Sequence, residues 1–136
     1  MKKKILIVSA NYYPNIQSNL LDGAQNYLKK HYNLILIKNI DRTEVPGVFE
    51  IPVTIARQIK KYDGFIALGC VIKGQTPHFD FISKATIDAI MKLSIDYKKP
   101  IGNGIITCLN KKQAILRSKT KGQESANAVC IVLKKL

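Results

Sequence analysis

Phe65-Ile66-Ala67-Leu68-Gly69-Cys70-Val71-Ile72-Lys73-Gly74-Gln75-Thr76-Pro77-His78 is the stretch whose reading decides the fold. Phe65–Val71 is the most strand-like run in the chain, and Lys73–His78 is a polar loop. After the loop, Ile82, Ala85, Ala89, Ile90 and Leu93 recur at helical spacing in a long helix ending near Lys98. Strand, loop and amphipathic helix repeat in both directions from this point. Downstream, Pro100 precedes a strand at Ile101–Thr107, followed by two shorter helical stretches, about Lys111–Arg117 and Glu124–Leu133. Upstream, Ile5–Val8 suits a buried strand, and Leu20, Leu21, Ala24, Tyr27 and Leu28 fall on one face of a helix starting at Ser18. Leu34–Ile37 is a second strand, and Val45-Pro46-Gly47 is a rigid turn. Pro52 suits the first turn of a helix with the stripe Ile51, Ile55, Ile59.

This alternation predicts parallel strands, right-handed crossovers and helices on both faces of the sheet. In such sheets ligands bind outside the carboxyl ends of the strands. Those ends are Ser9–Tyr13, Val45–Glu50, Gly69–His78 and Thr107–Asn110, where the unusual residues of the chain collect. With 136 residues and no Pro/Gly/Ser-rich linker or repeat, one domain over residues 1–136 is expected.

Composition excludes several classes. No apolar run approaches the ~20 residues of a membrane helix. The basic-then-apolar start, Met1–Val8, is too short for a signal peptide and is interrupted by Asn11–Asn15, so a cytoplasmic protein is expected. Cys70, Cys108 and Cys130 form no paired framework, which fits a reducing compartment. The net charge of +13 comes from 22 Lys and Arg against 9 Asp and Glu. Arg occupies only positions 42, 57 and 117, and the lysines are scattered. That argues for a solvated surface whose field steers anions, not for a nucleic-acid reader with clustered Arg and aromatics.

Gly69–Thr76 has the glycine spacing of a phosphate loop, but Gln75 stands where a nucleotide-binding lysine belongs, so an NTPase is not expected. Backbone N–H groups, the Thr76 hydroxyl and the start of the next helix still suit an anion; an ordinary glycine-rich turn reads equally well. His78 beside that loop suits proton transfer. Two histidines exclude a multi-histidine metal site, and no metal is expected. Glu50, a lone acid before a helix, reads either as a dipole partner or as an acceptor for ligand hydroxyls. Tyr12 and Tyr13 either stack on a flat ring or pack the turn. Arg117 offers a guanidinium fork of the kind that binds phosphate.

Taken in order, Leu20–Ala24, Val45-Pro46-Gly47-Val48-Phe49-Glu50-Ile51-Pro52, Tyr62–Asp80 and Gln113–Arg117 resemble the 6,7-dimethyl-8-ribityllumazine synthase family over nearly the whole chain. The resemblance implies a three-layer α/β/α sandwich with a four-stranded parallel sheet in a flavodoxin-like arrangement. It implies the condensation of 5-amino-6-(D-ribitylamino)uracil with 3,4-dihydroxy-2-butanone 4-phosphate, the penultimate step of riboflavin biosynthesis, with no cofactor. It also implies a homo-oligomer of pentamers, or multiples of them, with active sites between subunits.

Carried over by position, Tyr12, Val48, Phe49, Glu50, Cys70, Val71, Ile72 and Asn103 would surround the pyrimidine and its ribityl chain. Gln75, Thr76 and Arg117 would hold phosphate, Arg117 reaching across an interface, and His78 would transfer protons. Asn103 replaces a common phenylalanine, Tyr12 the commoner Phe or Trp, Lys73 an arginine, and Ser125 a lysine near the phosphate. The turn Lys119–Gly122 is poorer in glycine than is usual for the family. A non-catalytic flavin or lumazine carrier is the alternative, supported only by Asn103 and Ser125.

Overall fold

A computed structural model describes residues 2–32 and 36–135. It contains β1 (Lys3–Ala10), α1 (Pro14–His31), β2 (Ile37–Val45), a 3-10 turn (Val48–Glu50), α2 (Ile51–Gln58), β3 (Gly64–Ile72), α3 (His78–Tyr97), β4 (Ile101–Cys108) and α4 (Lys111–Lys134). The four strands form one sheet in the order β2-β1-β3-β4, and every neighbouring pair is parallel.

Period-two alternation within the strands divides the core into two layers. Ile5, Ile7, Ile66, Leu68 and Ile106 point to one face, where Leu20, Leu28, Ala126 and Val129 from α1 and α4 cover them. Leu6, Val8, Phe65, Ala67 and Ile105 point to the other and meet Ile51, Ile55 and Ile90 from α2 and α3. Because β1 and β3 are covered on both faces, they read as continuous apolar runs. The expected three-layer sandwich and flavodoxin-like strand order are observed.

Three elements differ from the sequence reading. α1 opens at Pro14, one turn before the expected Ser18, because proline suits the first turn of a helix. The second strand was expected at Leu34–Ile37, but β2 runs Ile37–Val45; residues 34 and 35 lie outside the described residues. β2 is an edge strand carrying Lys38, Asp41, Arg42 and Glu44, so backbone pairing with β1 defines it where apolar pattern does not. The last two helical stretches are one helix, α4. Gly122 looked like a break because glycine costs a helix about 1 kcal/mol relative to Ala. Packing overrides that cost: α1 crosses so closely that a Cβ on Gly122 would overlap the Leu20 carbonyl oxygen and lie 3.0 Å from Ala24 N. Gly122→Ala should therefore destabilise the fold by ~1–3 kcal/mol, despite alanine's better helix propensity. Denaturant unfolding checks this, and an unchanged midpoint would show that the two helices separate freely.

Candidate functional site

The strand order reverses between β1 and β3. β1 leads into α1 on one side of the sheet and β3 leads into α3 on the other, so a crevice opens between the two strand ends. A cavity of about 730 Å³ fills it. Tyr12 and Tyr13 form one wall, Pro46–Glu50 a second, Cys70–Ile72 the floor, and Thr76, His78 and Phe79 the rim.

Each wall has a local cause. At the end of β1, Asn11 N donates to Val45 O at 2.9 Å, and Pro14 then starts α1 where its missing N–H costs nothing. The turn between them turns Tyr12 outward, leaving it 72% exposed. In the second wall, the Gly47 and Glu50 backbones close on each other: Glu50 N donates to Gly47 O at 3.2 Å, and Gly47 N donates to Glu50 Oε1 at 3.0 Å. Glu50 thus ties down its own turn through one carboxylate oxygen, Oε1. Gly69 lets this turn approach the floor, since a Cβ there would sit 2.5 Å from Val48 Cγ1.

The floor is apolar. Burial and the neighbouring Cys108 push the Cys70 thiol up to about 12, with Arg117 opposing weakly. A thiol raised that far stays protonated at pH 8, which makes Cys70 a poor nucleophile in the folded protein. Iodoacetamide at pH 8 should leave Cys70 unmodified in the folded protein and modify it after unfolding, as read by peptide mass. Rapid labelling of the native chain would contradict this.

At the rim, α3 begins at His78, whose N–H donates to Thr76 Oγ1 at 3.4 Å. The first-turn N–H groups of this helix favour an anion, although Asp80 already places one carboxylate there.

Of the residues expected from the sequence, Tyr12, Val48, Phe49, Glu50, Cys70, Val71, Ile72, Thr76 and His78 share this one cavity. Gln75 is exposed in the neighbouring loop. Asn103 and Arg117 lie outside it. Asn103 is on the free edge of β4, where its Oδ1 accepts from Ile105 N at 3.1 Å. Arg117 is on α4 and its side chain reaches the carboxyl end of β4, Nη1 donating to Thr107 O at 2.9 Å and lying 3.7 Å from Cys108 Sγ. Ser125 is 3% exposed and donates to Gly122 O at 2.8 Å, so its hydroxyl is buried within α4's own packing. Tyr13, Phe79 and Ile82 also line the cavity. For Ile82 the signal was present, as the first member of the α3 apolar stripe.

Among the described residues, no three His, Cys, Asp or Glu side chains converge as a metal site, and no helix is long and apolar enough to cross a membrane. The sequence matches the family model described as 6,7-dimethyl-8-ribityllumazine synthase over residues 2–136. It is 42% identical to the 6,7-dimethyl-8-ribityllumazine synthase of Buchnera aphidicola, covering 97% of this chain and 84% of that protein. It is 41% identical to the one from Bartonella tribocorum, over 97% of this chain and 91% of that protein. To 6,7-dimethyl-8-ribityllumazine synthase 1 of Rhodopseudomonas palustris it is 40% identical, over 96% of this chain and 84% of that protein.

Proposed function

The chain belongs to the 6,7-dimethyl-8-ribityllumazine synthase family, and from that premise we propose that its cavity joins 5-amino-6-(D-ribitylamino)uracil to 3,4-dihydroxy-2-butanone 4-phosphate. The products are 6,7-dimethyl-8-ribityllumazine, phosphate and two waters, which makes the chain a transferase of riboflavin biosynthesis. The observation that carries this reading is the single cavity shared by an aromatic wall, the Val48–Glu50 turn and the Thr76–His78 rim.

The pyrimidine stacks on Tyr12, its edge lies along Val48 and Phe49, and its ribityl hydroxyls donate to the Glu50 carboxylate. The 5-amine attacks the butanone carbonyl to give a Schiff base and water. His78 moves the protons that accompany phosphate departure, and the ribitylamino nitrogen then closes the ring with loss of the second water. Holding two reactive partners in register supplies most of the acceleration. Proton transfer by His78 adds roughly 10²–10⁴-fold at most. Mixing both substrates with the protein and following lumazine absorbance tests the reading; no acceleration over the uncatalysed mixture would overturn it. No observation favours the non-catalytic carrier.

The same reading places Arg117 and Asn103 at the cavity of a neighbouring subunit, in a cytoplasmic pentamer or a multiple of one. α3 leaves Phe81, Met91 and Ile95 more than half exposed, and Leu116 on α4 is also bare, which is costly for a lone chain. The active species in solution should therefore exceed the 15.2 kDa of one chain several-fold. Light scattering with activity on the same fractions checks this, and full activity in a monomer would contradict it.

A further inference from the structure

Tyr12 has little to hold it. It is 72% exposed at the tip of the β1–α1 turn, and among the described residues the one aromatic ring paired with it is Tyr13. The two rings stand nearly perpendicular, at 81°, with centroids 4.9 Å apart, the edge-to-face arrangement that aromatic quadrupoles favour.

Tyr13, by contrast, is held from several sides. Its ring packs against the core layer under α1 and α4. Its carbonyl accepts from Gln17 N at 2.9 Å, and the next residue is Pro14, which opens α1. Gln17 is a polar residue on the buried stripe of α1, and its Nε2 donates to Ser9 Oγ at 3.0 Å, with both residues buried. This bond ties the first turn of α1 to the last residues of β1, directly beneath the tyrosines. An amide in that position costs stability unless it is bonded, and here its bond braces the turn. Burial and the neighbouring Cys70 and Tyr12 raise the Tyr13 hydroxyl above the usual tyrosine value, so it stays a neutral phenol.

We infer that Tyr13 is a positioning residue: its fixed ring sets the plane of Tyr12, and through Tyr12 it orients the pyrimidine. This rests on the stacking role proposed for Tyr12 and extends it to a side chain with a different task. Loss of the edge-to-face pair lets the Tyr12 ring turn in the open cavity, so part of its stacking is lost to disorder.

The test is a double-mutant cycle read by fluorescence titration of 6,7-dimethyl-8-ribityllumazine. Tyr13→Leu keeps apolar bulk but removes the ring; Tyr13→Phe keeps the ring and removes the hydroxyl. Tyr13→Leu should weaken the lumazine by roughly two- to tenfold, the range for an aromatic pair. Tyr13→Phe should bind like the parent. In a Tyr12→Ala background, Tyr13→Leu should cost nothing further. The KM for the butanone phosphate, whose contacts lie elsewhere, should not move in Tyr13→Leu; if it moves together with lumazine affinity, the residue is merely structural and the inference fails. An equal loss from Tyr13→Leu with or without Tyr12 would show that Tyr13 acts directly and would overturn the inference alone. A loss in Tyr13→Phe as large as in Tyr13→Leu would also overturn it, by making the hydroxyl the operative group. If Tyr12→Ala itself leaves affinity unchanged, the stacking role falls first and this inference falls with it.

Discussion

Replacing His78 by alanine should lower kcat roughly 10- to 1,000-fold, with little change in thermal stability. The size of the effect follows from what the imidazole can and cannot supply. Elimination of phosphate from the condensed intermediate needs one proton removed and another delivered, and His78 is the only histidine among the described residues that line the cavity. The loss stops short of complete inactivity because the remaining walls, Tyr12, Val48–Glu50 and Cys70–Ile72, still hold the substrates together. The fold should survive because His78 is exposed, and its hydrogen bond to Thr76 uses the backbone N–H, which alanine keeps. Steady-state kinetics and a melting curve on the same preparation check both halves. Unchanged turnover would leave His78 as the first residue of a helix and nothing more.

The sequence exposes this site for a topological reason. In a parallel sheet all carboxyl ends lie on one side, so turn residues distant in the chain, such as Tyr12, Glu50 and Thr76, meet without any signal that names their partners. The same logic failed for β2, because an edge strand satisfies its backbone against β1 and leaves its outward side chains polar. It failed again at Gly122, where glycine marks close approach of two helices in the middle of α4.

Asn103 and Arg117 show a different gap. A motif assigns a residue a task; the family resemblance sends Arg117 across an interface, but nothing in the sequence says whose cavity Asn103 serves. In the single chain, Asn103 occupies its own strand edge and the Arg117 side chain reaches the end of β4. Tyr12 and Tyr13 carry the same two sequence readings, stacking or turn packing, since adjacency in sequence does not show that one ring is anchored and the other is not.

The position of Arg117 makes its replacement by lysine the sharpest test of the phosphate site. The butanone substrate carries the only phosphate and the pyrimidine carries none, so a phosphate-binding arginine must discriminate between them. In the structure one nitrogen of the guanidinium, Nη1, is committed to Thr107 O at 2.9 Å. That anchor fixes the plane of the group and leaves its other donors available for the proposed phosphate fork. Lysine keeps the charge but offers a single ammonium that cannot both hold the carbonyl and present a planar pair of donors. Binding of the butanone phosphate should weaken by ~1–3 kcal/mol, the range for a charge-assisted hydrogen bond. Pyrimidine affinity should barely move, because its proposed contacts are Tyr12, Phe49 and Glu50. Inorganic phosphate should compete with the butanone in the parent protein and compete less well in Arg117→Lys. The measurement is a pair of titrations on Arg117→Lys, one for each substrate in the absence of the other. Selective weakening of the phosphate-bearing substrate supports the assignment, and sedimentation of the variant shows whether assembly is intact. Equal weakening of both would mean that Arg117 supports contact between subunits and leaves phosphate to Thr76 and the N-terminus of α3.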